Sequence, residues 1–364
     1  MRYAVVIAGG LGTRLWPMSR ANRPKQLIPF IAGRSLLEIA VGRLEGLLPL
    51  ERCLVCAGQA HEEAVRNVLL QLGPDQFLGE PCGRDTLNAI GLCAAVLARR
   101  DPEATVAIFT ADHVIEPVDR FQAIVDSGYD LVDQHPEALV TFGIVPTGPA
   151  IGYGYLELGE PLSGESRRLG RFHEKPDLET TQRYVEAGAE KFLWNSGMFV
   201  WRADTLLECI RRYMPQNHEG LTRIADAWDT PRRGPVLDEV YPTLTKISID
   251  YAVMEPASRD PAATVAAIPM PLRWLDVGSW PSLAKTCSHD EQGNALAADR
   301  TLLIDTRGTL AVSSDPAHLI ATIGCDDLVI VHTPDATLVC RADCADDIKE
   351  LHRQVESRYG KDLV

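Results

Sequence analysis

Arg2-Tyr3-Ala4-Val5-Val6-Ile7-Ala8-Gly9-Gly10-Leu11-Gly12-Thr13-Arg14 is an apolar run that ends abruptly in three glycines and an arginine. Residues 2–8 read as a buried strand, because a short continuous apolar run closed by turn residues suits the middle of a parallel sheet. The glycines let backbone N–H groups approach an anion closely and adopt positive φ. Arg14 adds a planar fork matched to phosphate oxygens. Gly9, Gly10, Gly12 and Thr13 are therefore candidate phosphate-binding residues. Lys25 follows in Arg23-Pro24-Lys25-Gln26, with Pro24 stiffening its approach. The loop is not a Walker A motif, which would end in Gly-Lys-Ser/Thr, and Gly9-x-x-Gly12 misses the dinucleotide pattern. A glycine loop alone reads equally well as a plain strand-to-helix turn. Arg14, Pro17, Pro24 and Lys25 around it favour an anion site.

Working outward from this loop, apolar strands alternate with helical stripes. Helices are predicted over 35–48, 60–72, 85–100 (with Asp85 as N-cap) and 118–134, and strands over 53–57, 105–110 and 138–143. Repeated β-α units imply an α/β fold with a Rossmann-like, mainly parallel sheet covered by helices on both faces. Residues 148–166 are rich in Gly, Pro and Tyr and read as a hairpin or loop over a site; helices return at 178–187 and 203–213. After Gln292 the pattern changes to short β-rich runs at 301–304, 309–312, 319–323, 328–331 and 337–340, then a helix over 345–358. The division expected is a catalytic unit over 1–288 and a small β-rich, β-helix-like tail over 289–364. A boundary near 285–295 fits the change in pattern.

The 364 residues suffice for a sizeable core. A net charge of -14, from 36 basic and 50 acidic side chains, argues against nucleic acid, which needs a basic face. It is compatible with a small anionic substrate arriving with a divalent cation held on carboxylates. No stretch of 18 apolar residues occurs, so no membrane span is expected. The N-terminal run is too short for a secretory leader, so none is expected. Nine scattered cysteines fit reduced thiols and a cytoplasmic location. Cys53 and Cys56 form a C-x-x-C, but they sit inside an apolar run and read as strand core. Cys340 and Cys344 have no second pair at zinc spacing and read as structural.

The blocks Gly9-Gly10-Leu11-Gly12-Thr13-Arg14-Leu15-Trp16-Pro17-Met18-Ser19-Arg20 and Pro24-Lys25-Gln26 resemble the signature of nucleotide-sugar pyrophosphorylases. The Leu-Trp-Pro and Pro-Lys-Gln details are similar to its mannose-1-phosphate guanylyltransferase branch. The resemblance continues in order through Thr110-Ala111-Asp112-His113, Gly152-Tyr153-Gly154-Tyr155, Glu174-Lys175-Pro176 and Trp194-Asn195-Ser196-Gly197-Met198-Phe199. It extends to Ser248–Glu255 and Asp276-Val277-Gly278-Ser279-Trp280. There are two departures. Leu11 stands where the family often has Ser. Arg84-Asp85-Thr86-Leu87-Asn88 stands where the family shows Arg-Asn-Thr-Ala-Pro, in a region expected near the base or sugar.

The resemblance implies a glycosyltransferase-A-like nucleotidyltransferase fold and a Mg²⁺-dependent reaction of GTP with mannose 1-phosphate, giving GDP-mannose and pyrophosphate. It makes Asp112 and Asp276 the metal ligands, with His113 beside them and not on the ion. Arg14 and Lys25 would act on the nucleotide phosphates and Lys175 on the sugar phosphate. Glu174, Asn195 and the Gly154 loop would meet sugar hydroxyls, and Arg84 the nucleotide or sugar. Asp250 is expected near the same pocket, and Trp194, Trp274 and Trp280 either beside the sugar or in the core. The alternatives are another sugar 1-phosphate or NTP, or a catalytically inactive nucleotide-sugar-sensing subunit. The tail would cover the site or mediate a homodimer. No appended isomerase domain is expected, since the sequence ends at Val364.

Overall fold

The computed structural model describes residues 1–10, 12–31 and 33–364; the Leu11 departure lies outside the described residues. A nine-stranded sheet forms the body. Its strands are β1 (Arg2–Ile7), β2 (Cys53–Gly58), β3 (Phe77–Glu80), β4 (Thr105–Thr110), β6 (Ala138–Ile144), β7 (Tyr155–Ser163), β8 (Ser166–His173), β9 (Phe192–Arg202) and β10 (Thr264–Pro269). Between β4 and β6, β5 (His113–Glu116) turns away and pairs with β11 (Arg273–Asp276) as a separate ribbon. The sheet order is β3-β2-β1-β4-β9-β6-β10-β8-β7. Pairing is parallel from β3 to β4 and again between β6 and β10, while β9 and the β7–β8 hairpin run antiparallel.

Both faces of β1 are covered, which explains why its sequence is continuously apolar. Val5 packs with Leu54, Val106 and Ile108 under the helix Asp85–Arg100. Ala4 and Val6 pack with Val55, Ala107 and Phe109 on the opposite side, under Leu36–Gly42 and Val118–Gln134. Cys53 and Cys56 go to opposite faces, as residues three apart on a strand must, so the C-x-x-C is no thiol pair.

Three expectations are corrected. The helix predicted over 35–48 spans Leu36–Gly42, opened by a Ser35/Glu38 capping box. The helix predicted over 60–72 is a 3₁₀ turn at Gln59–His61 followed by Glu62–Val68. Asp85 is the first helical residue, with φ 66°, and its carboxylate accepts from Thr86 N instead of capping the next turn.

The C-terminal strands are β12 (Ser288–His289), β13 (Ala295–Ala297), β14 (Arg300–Ile304), β15 (Leu310–Ser313), β16 (Leu319–Ile323), β17 (Leu328–Thr333) and β18 (Ala336–Arg341). Leu310 stands beside Val329 and Arg300 beside Leu319, in parallel rungs. A 3₁₀ turn at Ala342–Asp347 and the helix Ile348–Tyr359 fold back on the body. One apolar cluster joins the two parts: Leu15, Trp16, Val277, Trp280 and Leu283 pack with Leu310, Val329, Ala345 and Ile348. Gly9, Glu80 and Asp112 thus come together at the C-terminal ends of β1, β3 and β4, where open α/β sheets hold ligands.

Candidate active site

The glycine loop is shaped from inside. Gly10 and Gly12 have φ of 85° and 68°. A Cβ on Gly12 would lie 2.6 Å from both Cβ and Cγ of Lys25, so that position must be glycine for the lysine to pass. Gln26 Nε2 donates to the Gly9 carbonyl and Ser19 Oγ to that of Gly12, fixing the turn. Lys25 is 7% exposed, and its Nζ lies 2.8 Å from Asp112 Oδ2 and 3.1 Å from the Val277 carbonyl. Arg14 stays exposed at the mouth of a cleft of about 540 Å³ that Thr13 and the buried Gly278 also line.

Two chain-distant carboxylates meet here. β5 and β11 pair antiparallel with His113 opposite Asp276, and Val277 N donates to the Asp112 carbonyl. Oxygen atoms of Asp112 and Asp276 and a nitrogen of His113 all lie within 4.8 Å of one another. The Trp274 indole N–H can only donate, and it points at His113 Nδ1, 3.1 Å away. The ring proton therefore sits on Nε2, 3.7 Å from Asp112 Oδ1, leaving no lone pair there for a cation. Burial lowers the His113 pKa, which keeps the ring neutral. The donor set is thus two carboxylates, a set of hard oxygens suited to a small divalent cation. Burial works against ionisation of Asp112, but the Lys25 ammonium beside it is the foremost of the influences that hold its pKa down to about 2. Burial and the Asp112 charge push Asp276 up.

On one side lies a pocket of about 390 Å³ lined by Gly9, Gly10, Glu80, Arg84, Thr86 and Lys246, with Asp112 at its edge. Tyr241 donates its hydroxyl to Glu80, and Arg84 donates to the Pro242 carbonyl. Leu87 and Asn88, the last two residues of the departure, are fully buried away from this pocket. Asn88 Nδ2 ties the Arg84 carbonyl to that of Thr245. A larger hollow of about 780 Å³ beside Pro215–Ala227 holds none of the candidate residues.

On the other side, Glu174 is nearly buried and pairs with Lys175, whose backbone holds φ 46°. A non-glycine residue in the left-handed region signals a position fixed by its surroundings. A Cβ on Gly154 would come within 2.7 Å of Glu174 Oε2, and Gly154 O accepts from Asn195 N. Asn195 is heavily engaged: its Oδ1 accepts from Thr141 and Gly197, and its Nδ2 donates to Asp250 at 2.9 Å. Burial and the Glu174 charge push Asp250 up to about 7, against the pull of Lys175. Tyr153 stacks edge-on between Trp194 and Trp274, whereas Trp280 is pure core.

Several residues escaped the sequence reading. Arg43 is buried and donates to the His113 and Thr110 carbonyls, bracing the turn that carries Asp112. Glu80, Gln26 and the tail residues Asp346 and Lys349 also reach the site. Only Gln26, adjacent to Lys25, carried a local signal.

The Nucleotidyl transferase family profile matches residues 3–293 and a MannoseP isomerase/GMP-like beta-helix domain profile matches 299–355. The Escherichia coli K12 mannose-1-phosphate guanylyltransferase is 35% identical over 98% of this chain and 73% of its own length. The xanthan biosynthesis protein XanB of Xanthomonas campestris is 37% identical over 97% and 73%. The crystal structure of mannose-1-phosphate geranyltransferase from Thermus thermophilus superposes with a TM-score of 0.85 at 33% identity, covering 98% of this chain and 99% of the other. These likenesses span the glycine loop, both aspartates and the β-rich tail. The chain is an enzyme of the nucleotidyl transferase family and belongs, within it, to the mannose-1-phosphate guanylyltransferases.

Proposed function

We propose that this enzyme converts GTP and α-D-mannose 1-phosphate to GDP-mannose and pyrophosphate, with Mg²⁺ on Asp112 and Asp276. The observation that carries this reading is the meeting of those two carboxylates with Lys25 at the glycine loop, between a base-sized pocket and the Glu174–Lys175 side. The bound Mg²⁺ would offset repulsion between the two reacting anions. A sugar-phosphate oxygen attacks the α-phosphorus in line, and the bond to the pyrophosphate oxygen breaks. The nucleophile is already an anion, so no general base is required. Catalysis is then positioning plus charge neutralisation. Lys25 and Arg14 draw charge from the α-phosphate and the departing pyrophosphate. Gly9, Gly10, Gly12 and Thr13 present backbone N–H groups to the phosphates. Lys175 aims the attacking phosphate, with Glu174 and Asn195 on the sugar.

Guanine presents N1–H and N2–H₂ donors on its Watson–Crick edge, which a carboxylate accepts and adenine cannot match. The Glu80 carboxylate lines the pocket and Tyr241 engages its other side, supporting GTP. Glu80→Gln is expected to lower the GTP/ATP ratio of kcat/KM by roughly 10–100-fold, the worth of one good specific contact. An unchanged ratio would remove Glu80 from base selection. Lys175→Ala is expected to raise KM for mannose 1-phosphate by about 10–100-fold with kcat less affected, whereas Arg14→Ala lowers kcat. Wild-type kinetics for both would refute these roles.

Turnover over four NTPs and a panel of sugar 1-phosphates, with product identification, tests the assignment. A preference for another pair changes the substrates and keeps the chemistry. Absence of pyrophosphate with every pair would leave a regulatory subunit. Arg14, Lys25, Asp112, Lys175 and Asp276 together speak against that reading. The same proposal extends to a catalytic unit over 1–288 with a tail over 289–364, and to a cytoplasmic enzyme, supported by nine free thiols. Among the described residues no helix is long and apolar enough to cross a membrane. A homodimer through the tail is supported by the exposed row Leu302, Ile304, Leu319 and Ile323. Light scattering in solution decides that point.

A further inference from the structure

We propose that Lys349, on the helix Ile348–Tyr359 of the β-rich tail, binds the β- and γ-phosphates of the nucleotide and the pyrophosphate they become. On this view the tail supplies part of the nucleotidyl-transfer site. The inference rests on the reading of the cleft as a nucleotide site and adds a residue to it.

Lys349 lines the same cleft of about 540 Å³ as Gly9, Gly10, Gly12, Arg14 and Lys25, although hundreds of residues separate it from them in sequence. Its backbone is anchored from the preceding turn. Ala345 and Ile348, just before it, are 3% and 2% exposed, packed in the cluster that holds Leu15 and Trp16 behind the glycine loop. Beyond the helix, Leu363 O accepts from Trp16 Nε1 at 2.7 Å. The tail is thus fastened at both ends to the turn that bears Arg14.

The charge pattern points to an anion. Lys25 is paired with Asp112, and Arg14 NH1 lies 3.6 Å from Asp346 Oδ1. Lys349 has no carboxylate partner within 4.0 Å among the described residues. It is therefore the cation of this cleft whose charge is not already answered by the protein. Lys349 also occupies the first turn of a twelve-residue helix, where the dipole disfavours a positive charge. An anion held in the cleft would offset that small cost.

The test uses the full-length chain. Equilibrium binding of GTP and of inorganic pyrophosphate is measured by calorimetry for wild type, Lys349→Ala, Lys349→Glu and Lys349→Arg, alongside KM for both substrates and the thermal midpoint. The expected result is a Kd for pyrophosphate at least 10-fold weaker in the Ala variant and weaker still in the Glu variant. The Arg variant retains most of the affinity, KM for the sugar phosphate stays within twofold, and the midpoint is unchanged or raised. Pyrophosphate affinity within twofold of wild type in both Ala and Glu variants overturns the proposal, as does a uniform loss with a lowered midpoint in all three. Lysine-dependent pyrophosphate binding in a wild type without turnover would sink the enzyme reading and keep this one.

Discussion

Asp112→Asn is expected to lower kcat for pyrophosphate release by about 10³-fold, the scale of removing a group that stabilises charge in the transition state. The substitution keeps the size and polarity of the side chain and deletes the charge. It also deprives the Lys25 ammonium, nearly buried, of the carboxylate 2.8 Å away, leaving it to neutral amide and carbonyl oxygens such as that of Val277 at 3.1 Å. A stability loss of roughly 1–3 kcal/mol should accompany the catalytic loss, as for any buried charge that loses its partner. Asp276→Asn makes the comparison informative. Burial and the Asp112 charge disfavour the ionised form of Asp276, so its neutralisation relieves repulsion. That variant should be as stable as the wild type, or more so, and as inactive as Asp112→Asn. Circular dichroism melts and a coupled pyrophosphate assay separate the two effects. An Asp276→Asn enzyme with normal turnover would contradict the shared-ion reading.

Gly12→Ala is expected to cost about 10²-fold in kcat/KM for the nucleotide, the scale of misplacing a catalytic group by about 1 Å. Two costs combine. An L-residue at φ 68° loses roughly 1–2 kcal/mol relative to glycine. The new Cβ would also sit 2.6 Å from the Lys25 Cβ, within the lysine's own stem rather than at its flexible end. Lys25 must then shift, and the 2.8 Å contact with Asp112 shifts with it. Gly9→Ala is the control for folding, since nothing lies within 4 Å of a Cβ there. Activity measured on both, with midpoints from thermal melts, distinguishes a displaced lysine from a crowded ligand. Equal kinetics for Gly12→Ala and wild type would contradict the threading of Lys25 past the loop.

Much of this was legible because central strands in a sheet covered on both faces must be apolar throughout. Residues 2–7, 53–58 and 105–110 announce themselves that way, and the helices Asp85–Arg100 and Val118–Gln134 follow from their stripes. β9 did not, because Asn195, Ser196 and Gly197 interrupt its apolar run just where it crosses the site. Pro215–Ala227 opens on Pro-Gln-Asn-His and hides its apolar face behind polar residues. The chemistry divides in the same way. Gly9–Arg14 and Lys25 carry a local pattern, whereas Asp112 and Asp276 are united only by the β5–β11 ribbon, which single-chain periodicity does not reveal. Their pairing came from family resemblance. Arg43 and Lys349 act through positions set by packing of remote segments, with nothing in their neighbours to mark them.

The most direct measurement is anomalous diffraction from crystals grown with Mn²⁺ in place of Mg²⁺ and with GTP bound. The account predicts one strong manganese peak within coordination distance of carboxylate oxygens from both Asp112 and Asp276, beside the nucleotide phosphates. A peak held by other residues, or none at the two aspartates while the nucleotide occupies the cleft, would contradict it.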